Sequence, residues 1–460
     1  MYPYNIITAT ILLLYKCIWL FGLPIVAFYF IKRSFKEPGY RKNFKERLGF
    51  GKNFLCNSIW VHAVSLGEFR ASVPLIKEFL KRSEYVVLTT ITPAGREEAK
   101  RVLKSDIESG NVHLVYLPLE YDFAFNQFIK RCKPRLAIVL EIELWPVMIS
   151  ACSRHKIPLI QAQGQYVAKS FAIDKRFSWL RAALFNGFDL ILAKSEIHAD
   201  RYRHFCNSPI EVMGELRFDQ TIPREHLKSA CRFLEKTKLK TNSRICFCFG
   251  STGPGEDLVL TELMKKLTSK AENLGIAKPF YVYVPRHKNN FSNVQKVLDN
   301  SELNFVKRSQ ILDHRLQLKN SLDLEFSKLD GIVGDSLGEI NFYFYIADHV
   351  FIGNSFNNLG SHNVIEPLAL KKPVIVGPSI WGIEYPVIEA LEAHVIKKVE
   401  NIEEFYEHWL RELVRSEEDF EEQNQRQDFY IKHSGAVQRC IEKLEVYGYL
   451  PHRIEENSKV

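Results

Sequence analysis

Short, almost unbroken apolar runs alternate with segments whose apolar residues recur every three or four positions. In "SIWVHAVSLGEFRASVPLI", Ile59 to Val64 form a run suited to a strand buried on both faces, and Phe69, Val73, Ile76 and Leu80 then follow helical spacing. The same change of period predicts strands at "YVVLTT", "VHLVYLP", "RLAIVLEIE", "IPLIQAQ" and "FDLILAKS". After the helical "PREHLKSACRFLEKTKL" the pattern restarts with "RICFCFGST", "PFYVYVPR", "LNFVKRS", "DGIVGDS", "DHVFIGNS" and "KPVIVGPS". Continuous apolar strands separated by helices predict parallel sheets covered on both faces, here α/β with two doubly wound domains in tandem. The expected divisions are 1–35, 36–225 and 226–450. The last stretch predicts amphipathic helices with a polar face at "SEEDFEE" and a frayed tail, "RIEENSKV".

The first division differs from the rest. "NIITATILLLYKCIWLFGLPIVAFYFI" is long enough to cross a bilayer, which takes about 20 apolar residues. Lys16 and Pro24 interrupt it, so a helix lying in the interface is the other expectation. Lys32, Arg33, Lys36, Arg41, Lys42, Lys45 and Arg47 follow as a basic collar, which by the positive-inside rule keeps the remainder in the cytoplasm.

Composition narrows the function. With 460 residues, 46% hydrophobic and 25% charged, the chain is globular and too long for one ordinary core. The net charge of +8 suits an anionic phospholipid surface or a phosphorylated substrate. No basic–aromatic interleaving or helix-turn-helix signature points to nucleic acid. The nine cysteines show no C-x-x-C pair, and scattered free thiols favour a reducing compartment.

In doubly wound folds ligands sit at the carboxyl ends of strands, so residues just after each apolar run are the chemical candidates. Glu68 falls in the first elbow, where a carboxylate either caps the helix or serves as a base; spacing alone does not separate the two. Glu141 and Glu143 end an apolar strand two residues apart, hence on one face. In the second half Pro285-Arg286 end a strand, where a guanidinium suits a phosphate or forms a surface ion pair. "GDSLGEI" carries Gly338, Glu339 and Ile340 at a strand-to-helix turn that allows close backbone approach. "SHNVIEP" places Asn363, Val364, Ile365 and Glu366 before Pro367, so Glu366 starts a helix and either accepts bonds from a ribose diol or caps.

These segments occur in one order with "YRKNFKERLGF", "LTTITPAGREEA", "EIELWP", "GELRFD" and "VPRH". Together they resemble the bacterial 3-deoxy-D-manno-octulosonic acid (Kdo) transferases, from the anchor to about residue 390. The resemblance implies a GT-B glycosyltransferase of the bacterial inner membrane, its catalytic domains facing the cytoplasm. The first domain would take a lipid A precursor and the second CMP-Kdo, and transfer would invert the anomeric centre. Glu68 matches the family's catalytic base; Glu141 and Arg217 match residues that stabilise its transition state. Pro285-Arg286, Gly338 to Ile340 and Asn363 to Glu366 match its CMP-binding segments.

With no D-x-D motif, neither a metal nor a cofactor is expected, CMP-Kdo being a substrate. The enzyme alternative is a GT-B transferase using a UDP- or ADP-sugar on a membrane lipid; the non-enzyme alternative is an anchored binding protein. Three departures stand out. "QAQGQYVAKS" lacks an arginine the family usually carries in an Asn-Ala-Arg-Leu-Ser run, "GSTGPGED" lacks the family's histidine, and Arg217 replaces the commoner lysine.

Overall fold

The computed structural model describes residues 6–54, 57–319, 324–415 and 420–452. Residues 1–5 of the N-terminal segment, 416–419 of the "SEEDFEE" face and the tail 453–460 lie outside that set. The chain divides into two compact units, Met1–Gln220 with Ser434–Val460, and Thr221–His433.

The first unit holds a parallel sheet of β1 (Ser58–His62), β2 (Val86–Thr90), β3 (Val112–Tyr116), β4 (Pro134–Leu140), β5 (Leu159–Gly164), β6 (Leu190–Ala193) and β7 (Ile210–Val212), ordered β3-β2-β1-β4-β5-β6-β7. Val61 pairs with Leu88 on one side and Ile138 on the other. Alternate residues of the fully buried β1 feed two cores: Ile59 and Val61 pack with Phe69, Leu75 and Ile76, while Trp60 packs with Phe125 and Phe128. A sheet sandwiched between helix layers leaves neither strand face polar, which is why these runs are continuously apolar.

The second unit repeats the plan with β8 (Cys246–Thr252), β9 (Phe280–Pro285), β10 (Phe305–Lys307), β11 (Gly331–Val333), β12 (His349–Ile352), β13 (Val374–Val376) and β14 (Ile396–Lys398), ordered β10-β11-β9-β8-β12-β13-β14 and parallel throughout. Its core stacks Phe247 on Trp409 with ring centroids 4.3 Å apart. Among the described residues the periodicity reading finds twelve of fourteen strands. It misses β7 and β14, short edge strands in which Glu211 and Lys397-Lys398 break the apolar run.

The last helix, Ala436–Val446, leaves the 226–450 range expected for the second domain and belongs to the first unit. Its apolar stripe of Ala436, Cys440, Ile441 and Leu444 is buried against Met213 and Leu216 in the core beneath β1. Asp219 caps it, accepting from the Gly435 and Val437 N–H groups at 2.6 and 2.7 Å, and Arg439 Nε donates to Met213 O at 2.8 Å.

Among the described residues no single helix is long and apolar enough to cross a membrane. Thr8–Phe21 and Leu23–Phe35 meet that test only together, with a 56° bend between them. Lys16, the charge inside the apolar stretch, pairs with Asp122 at 2.7 Å, and Tyr121 donates to Trp19 O at 3.1 Å. The opposite face leaves Leu13, Leu14, Ile18, Phe21, Ile25 and Phe28 exposed. Arg47 does not join the basic collar. It is 1% exposed, donates to Ile91 O and lies 4.0 Å over the Tyr116 ring.

Leu444→Ala is expected to lower the unfolding free energy by about 2–5 kcal/mol, as for other fully buried leucines. Urea denaturation reads this, and a change under about 0.5 kcal/mol would show that the C-terminal helix does not pack here.

Candidate functional site

In the order of the first sheet, β1 and β4 are neighbours at the point where strand progression reverses, which is where doubly wound sheets open a crevice. Glu68 follows β1 and Glu141 follows β4. Glu68 lies in the first turn of helix Leu66–Lys81, 8% exposed. Ser65 is the N-cap: its Oγ accepts from the Glu68 N–H at 3.3 Å and donates to Glu68 Oε1 at 2.9 Å. The other carboxylate oxygen accepts from the Val64 N–H at 2.8 Å. The side chain therefore does cap, yet its electrostatics are not those of a solvated cap. Burial, and next the charge of Glu141, raise its pKa, while the Val64 and Ser65 bonds and the Arg217 charge pull against that rise without cancelling it. The helix terminus alone would have favoured the anion.

The Leu66–Lys81 helix contains Pro74, which deprives the Arg70 carbonyl of its helical donor. The Gln220 amide donates to that carbonyl instead, at 2.8 Å. This ties the helix bearing Glu68 to the segment bearing Arg217.

β4 stops at Leu140, so Glu141 and Glu143 are not placed by strand alternation. Glu141 is left-handed at φ 55°, costly for a residue with a Cβ, and Gln163 at the end of β5 repeats this at φ 57°. Gln161 Nε2 donates to Glu141 O at 2.5 Å and holds the bend. The turned Glu141 reaches Arg217, Oε1 to Nη2 being 3.5 Å. Glu143 accepts from the Trp145 indole at 2.8 Å; burial and then the Glu68 charge push its pKa up to about 8. Glu68, Glu141 and Glu143 thus form one electrostatic cluster with Arg217 beside it.

Arg217 sits in a 3₁₀ turn, Leu216–Asp219, and its Nη1 lies 3.2 Å from Glu215 Oε1. Glu215 is 2% exposed and also meets Lys194 Nζ at 2.7 Å and Gln163 Nε2 at 2.5 Å. Burial acts to raise the Glu215 pKa, but Lys194 and Arg217 outweigh it and keep the carboxyl below its usual value.

An apolar cavity of about 350 Å³ lies in the same unit, lined among others by Trp19, Ile25, Phe30, Leu117, Leu119 and Trp145. Trp145 thus joins this cavity to the carboxylate cluster through its bond to Glu143. Glu120 also borders it, pushed up to about 8 by burial despite N–H bonds from Val147 and Met148.

In the second unit the sequence-predicted segments follow β9, β11 and β12, with β8 between β9 and β12. Pro285 ends β9, and the exposed Arg286 lies near enough that, after burial, its charge is the next cause pushing His362 down to about 4. Gly338 has φ 88°, a conformation that favours glycine. Glu339 precedes helix Ile340–Ile346, but its carboxylate accepts from Arg308 Nη2 and Nε at 2.7 and 2.8 Å and from Ser336 Oγ. That leaves mainly the backbone of Gly338 to Ile340 to face a ligand. Asn363 Oδ1 accepts from the Ile365 N–H at 3.0 Å, Val364 is the N-cap, and Glu366 lies in the first turn of Ile365–Ala369.

The altered "GSTGPGED" loop is held by Glu256, which accepts from the N–H groups of Gly253, Asn354, Ser355 and Phe356 at 2.6–3.0 Å. A Cβ on Gly253 would fall 2.2 Å from Asn354 Oδ1, so the two loops close only over a glycine. Asn357 Nδ2 donates to Asn354 Oδ1 at 3.1 Å. Lys194, Glu215, Arg308 and Glu256 were not singled out from sequence. Lys194 directly follows the strand-like "FDLILA", so examining each strand's carboxyl end would have found it.

Residues 42–220 match the family model of 3-deoxy-D-manno-octulosonic-acid transferase (kdotransferase). Over 446 residues the chain is 29% identical to the 3-deoxy-D-manno-octulosonic acid transferase of Haemophilus influenzae, covering 94% of this chain and 98% of that protein. The enzyme of that name from Bordetella pertussis is 28% identical over 394 residues, covering 85% and 87%. Among solved structures, a glycosyltransferase from Rickettsia africae is similar with a TM-score of 0.55 at 15% identity, over 86% of this chain and 98% of that one. That likeness concerns the fold, which is GT-B: two seven-stranded parallel sheets, each in its own unit.

A carboxyl whose pKa rises on folding binds more protons folded than unfolded, so between about pH 4.5 and 8 stability falls as pH rises. Glu143→Gln is expected to remove one such contribution, so that unfolding free energy falls less, or rises more, from about pH 5 to 8.5 than in the wild type, with Glu120 and Glu68 among the carboxyls that keep theirs. Urea midpoints across that range measure it, and a slope equal to the wild type's would show that Glu143 titrates normally.

Proposed function

We propose that this chain, a glycosyltransferase belonging to the Kdo transferase family, moves Kdo from CMP-Kdo to a lipid A precursor with inversion. The observation that carries the mechanism is the cluster of Glu68, Glu141 and Glu143 with Arg217 beside β1 and β4. A general base works best when its pKa lies near the working pH, and Glu68 is moved upward by burial and a neighbouring carboxylate.

In this reading Glu68 takes the proton of the attacking acceptor hydroxyl as its oxygen bonds to the anomeric carbon. The bond from that carbon to the phosphate oxygen breaks on the opposite face, and its electron pair leaves with CMP. Arg217, aimed by Glu141 and Glu215, stabilises the charge that develops. In the second unit Arg286 offsets the phosphate charge, Glu366 accepts from the ribose diol, and the backbone of Gly338 to Ile340 completes the nucleotide site. No step requires a metal or a cofactor.

Two features support a lipid acceptor. The cavity beside Trp145 is walled by apolar side chains and suits an acyl chain. The exposed apolar face of Thr8–Phe21 and Leu23–Phe35, with Lys32 and Arg33 near its end and Arg41, Lys42 and Lys45 beyond it, suits attachment to the cytoplasmic face of a bacterial inner membrane. The pairing of Lys16 with Asp122 favours helices lying along that surface.

The deciding experiment is mass spectrometry of a tetraacylated lipid A precursor incubated with the protein and CMP-Kdo generated in the same tube. A product heavier by one or more Kdo units is expected. An unchanged acceptor, beside a working control enzyme, would turn attention to UDP- and ADP-sugars. Glu68→Gln is expected to lower kcat by about 10²–10⁴-fold while CMP-Kdo still binds, and near-normal turnover would refute the base assignment. Glu366→Ala is expected to weaken CMP binding about ten- to a hundredfold in calorimetry, and unchanged affinity would count against the ribose contact.

A further inference from the structure

Lys194 follows β6 and is 1% exposed, in a protein whose other lysines are mostly solvated. Its ammonium group has three N–H donors and three acceptors around it: Gln165 Oε1 at 2.6 Å, Glu215 Oε2 at 2.7 Å and Glu141 Oε1 at 3.4 Å. Those acceptors come from the carboxyl ends of β5, β7 and β4, so a single cation ties three strand ends to a fourth. Glu215 is divided between two tasks. One oxygen meets Lys194, and the other accepts from Arg217, through both its backbone N–H at 3.3 Å and its Nη1 at 3.2 Å, and from Gln163.

The two carboxylates, Glu141 and Glu215, are balanced by two cations, Lys194 and Arg217. Without Lys194, Arg217 would face both acids alone and Glu141 would lose one of its two cationic neighbours. The 161–165 run supplies no replacement, since its side chains there are Gln161, Gln163 and Gln165. The cation that faces both acids from within the sheet edge comes from the end of β6.

We propose that Lys194 is a positioning residue for transfer: it fixes Glu141 directly and Arg217 through Glu215. It is too buried to touch substrate, and it acts only through these partners. The proposal rests on the roles given above to Glu141 and Arg217.

The test is steady-state transfer by full-length Lys194→Met and by the double variant Lys194→Met/Gln163→Arg. Arginine at 163 restores the charge balance next to Glu215, which Gln163 already reaches. Lys194→Met is expected to lower kcat about 100-fold, the scale of a 1 Å misplacement, with the KM for CMP-Kdo within about threefold. The double variant is expected to recover at least about tenfold of that loss. A double variant that regains thermal stability without kcat would make Lys194 a purely structural partner and overturn the proposal, as would loss of the fold in both. If the wild-type chain itself transfers no Kdo, the functional reading fails separately. The crystal structure of Lys194→Met then decides: displaced Glu141 and Arg217 side chains support the positioning role, and unmoved ones overturn it.

Discussion

Parallel pairing is the constraint from which the rest follows. Two parallel strands cannot be joined by a hairpin, so each must be followed by a crossover that returns the chain to the start of the next. Every strand then ends on the same edge of its sheet, and every connection begins there. In the first unit that edge collects Glu68, Glu141, Gln163, Lys194 and Glu215 from β1, β4, β5, β6 and β7. In the second it collects Thr252, Arg286, the 334–340 turn and the 353–366 loop from β8, β9, β11 and β12. Residues more than a hundred positions apart in sequence become neighbours because the sheet order places their strands side by side.

Gathering carboxylates at a buried edge creates an electrostatic problem, and the molecule solves it in two ways. Around Glu215 the charge is cancelled: Lys194 and Arg217 hold the group ionised although it is nearly inaccessible. Around Glu68 and Glu143 it is left partly uncancelled, and both acids are pushed upward by burial and by neighbouring carboxylates. The first arrangement fixes geometry, and the second raises the proton affinity of the acids it contains. Arg217 and Glu141 join the two, since each touches the balanced network and acts on the unbalanced one.

Secondary supports keep this edge in register. The Arg70 carbonyl freed by Pro74 is taken by Gln220, which ties the helix carrying Glu68 to the turn carrying Arg217. That turn is fixed again by the C-terminal helix through Asp219 and through Arg439 on Met213. A proline inside a helix and a helix separated by the whole second unit thereby serve one loop of a few residues.

The sequence by itself determined the parts whose cause is local. Continuous apolar runs disclosed twelve strands among the described residues, most of them buried on both faces and so left without a polar side to show. Glu68, Glu141, Arg286 and Glu366 could be named as candidates because they stand where an apolar run or a helix begins or ends. The edge strands β7 and β14 were not disclosed, because Glu211 and Lys397-Lys398 interrupt their short apolar runs. Tertiary structure alone decided that Glu141 turns through a left-handed φ toward Arg217, that Arg47 is buried, and that Glu339 is occupied by Arg308. It also decided that Ala436–Val446 joins the first unit and that Lys194 compensates Glu141 and Glu215. Each of these outcomes depends on which charge or apolar stripe lies opposite, and that is a property of strand order and packing rather than of any window along the chain.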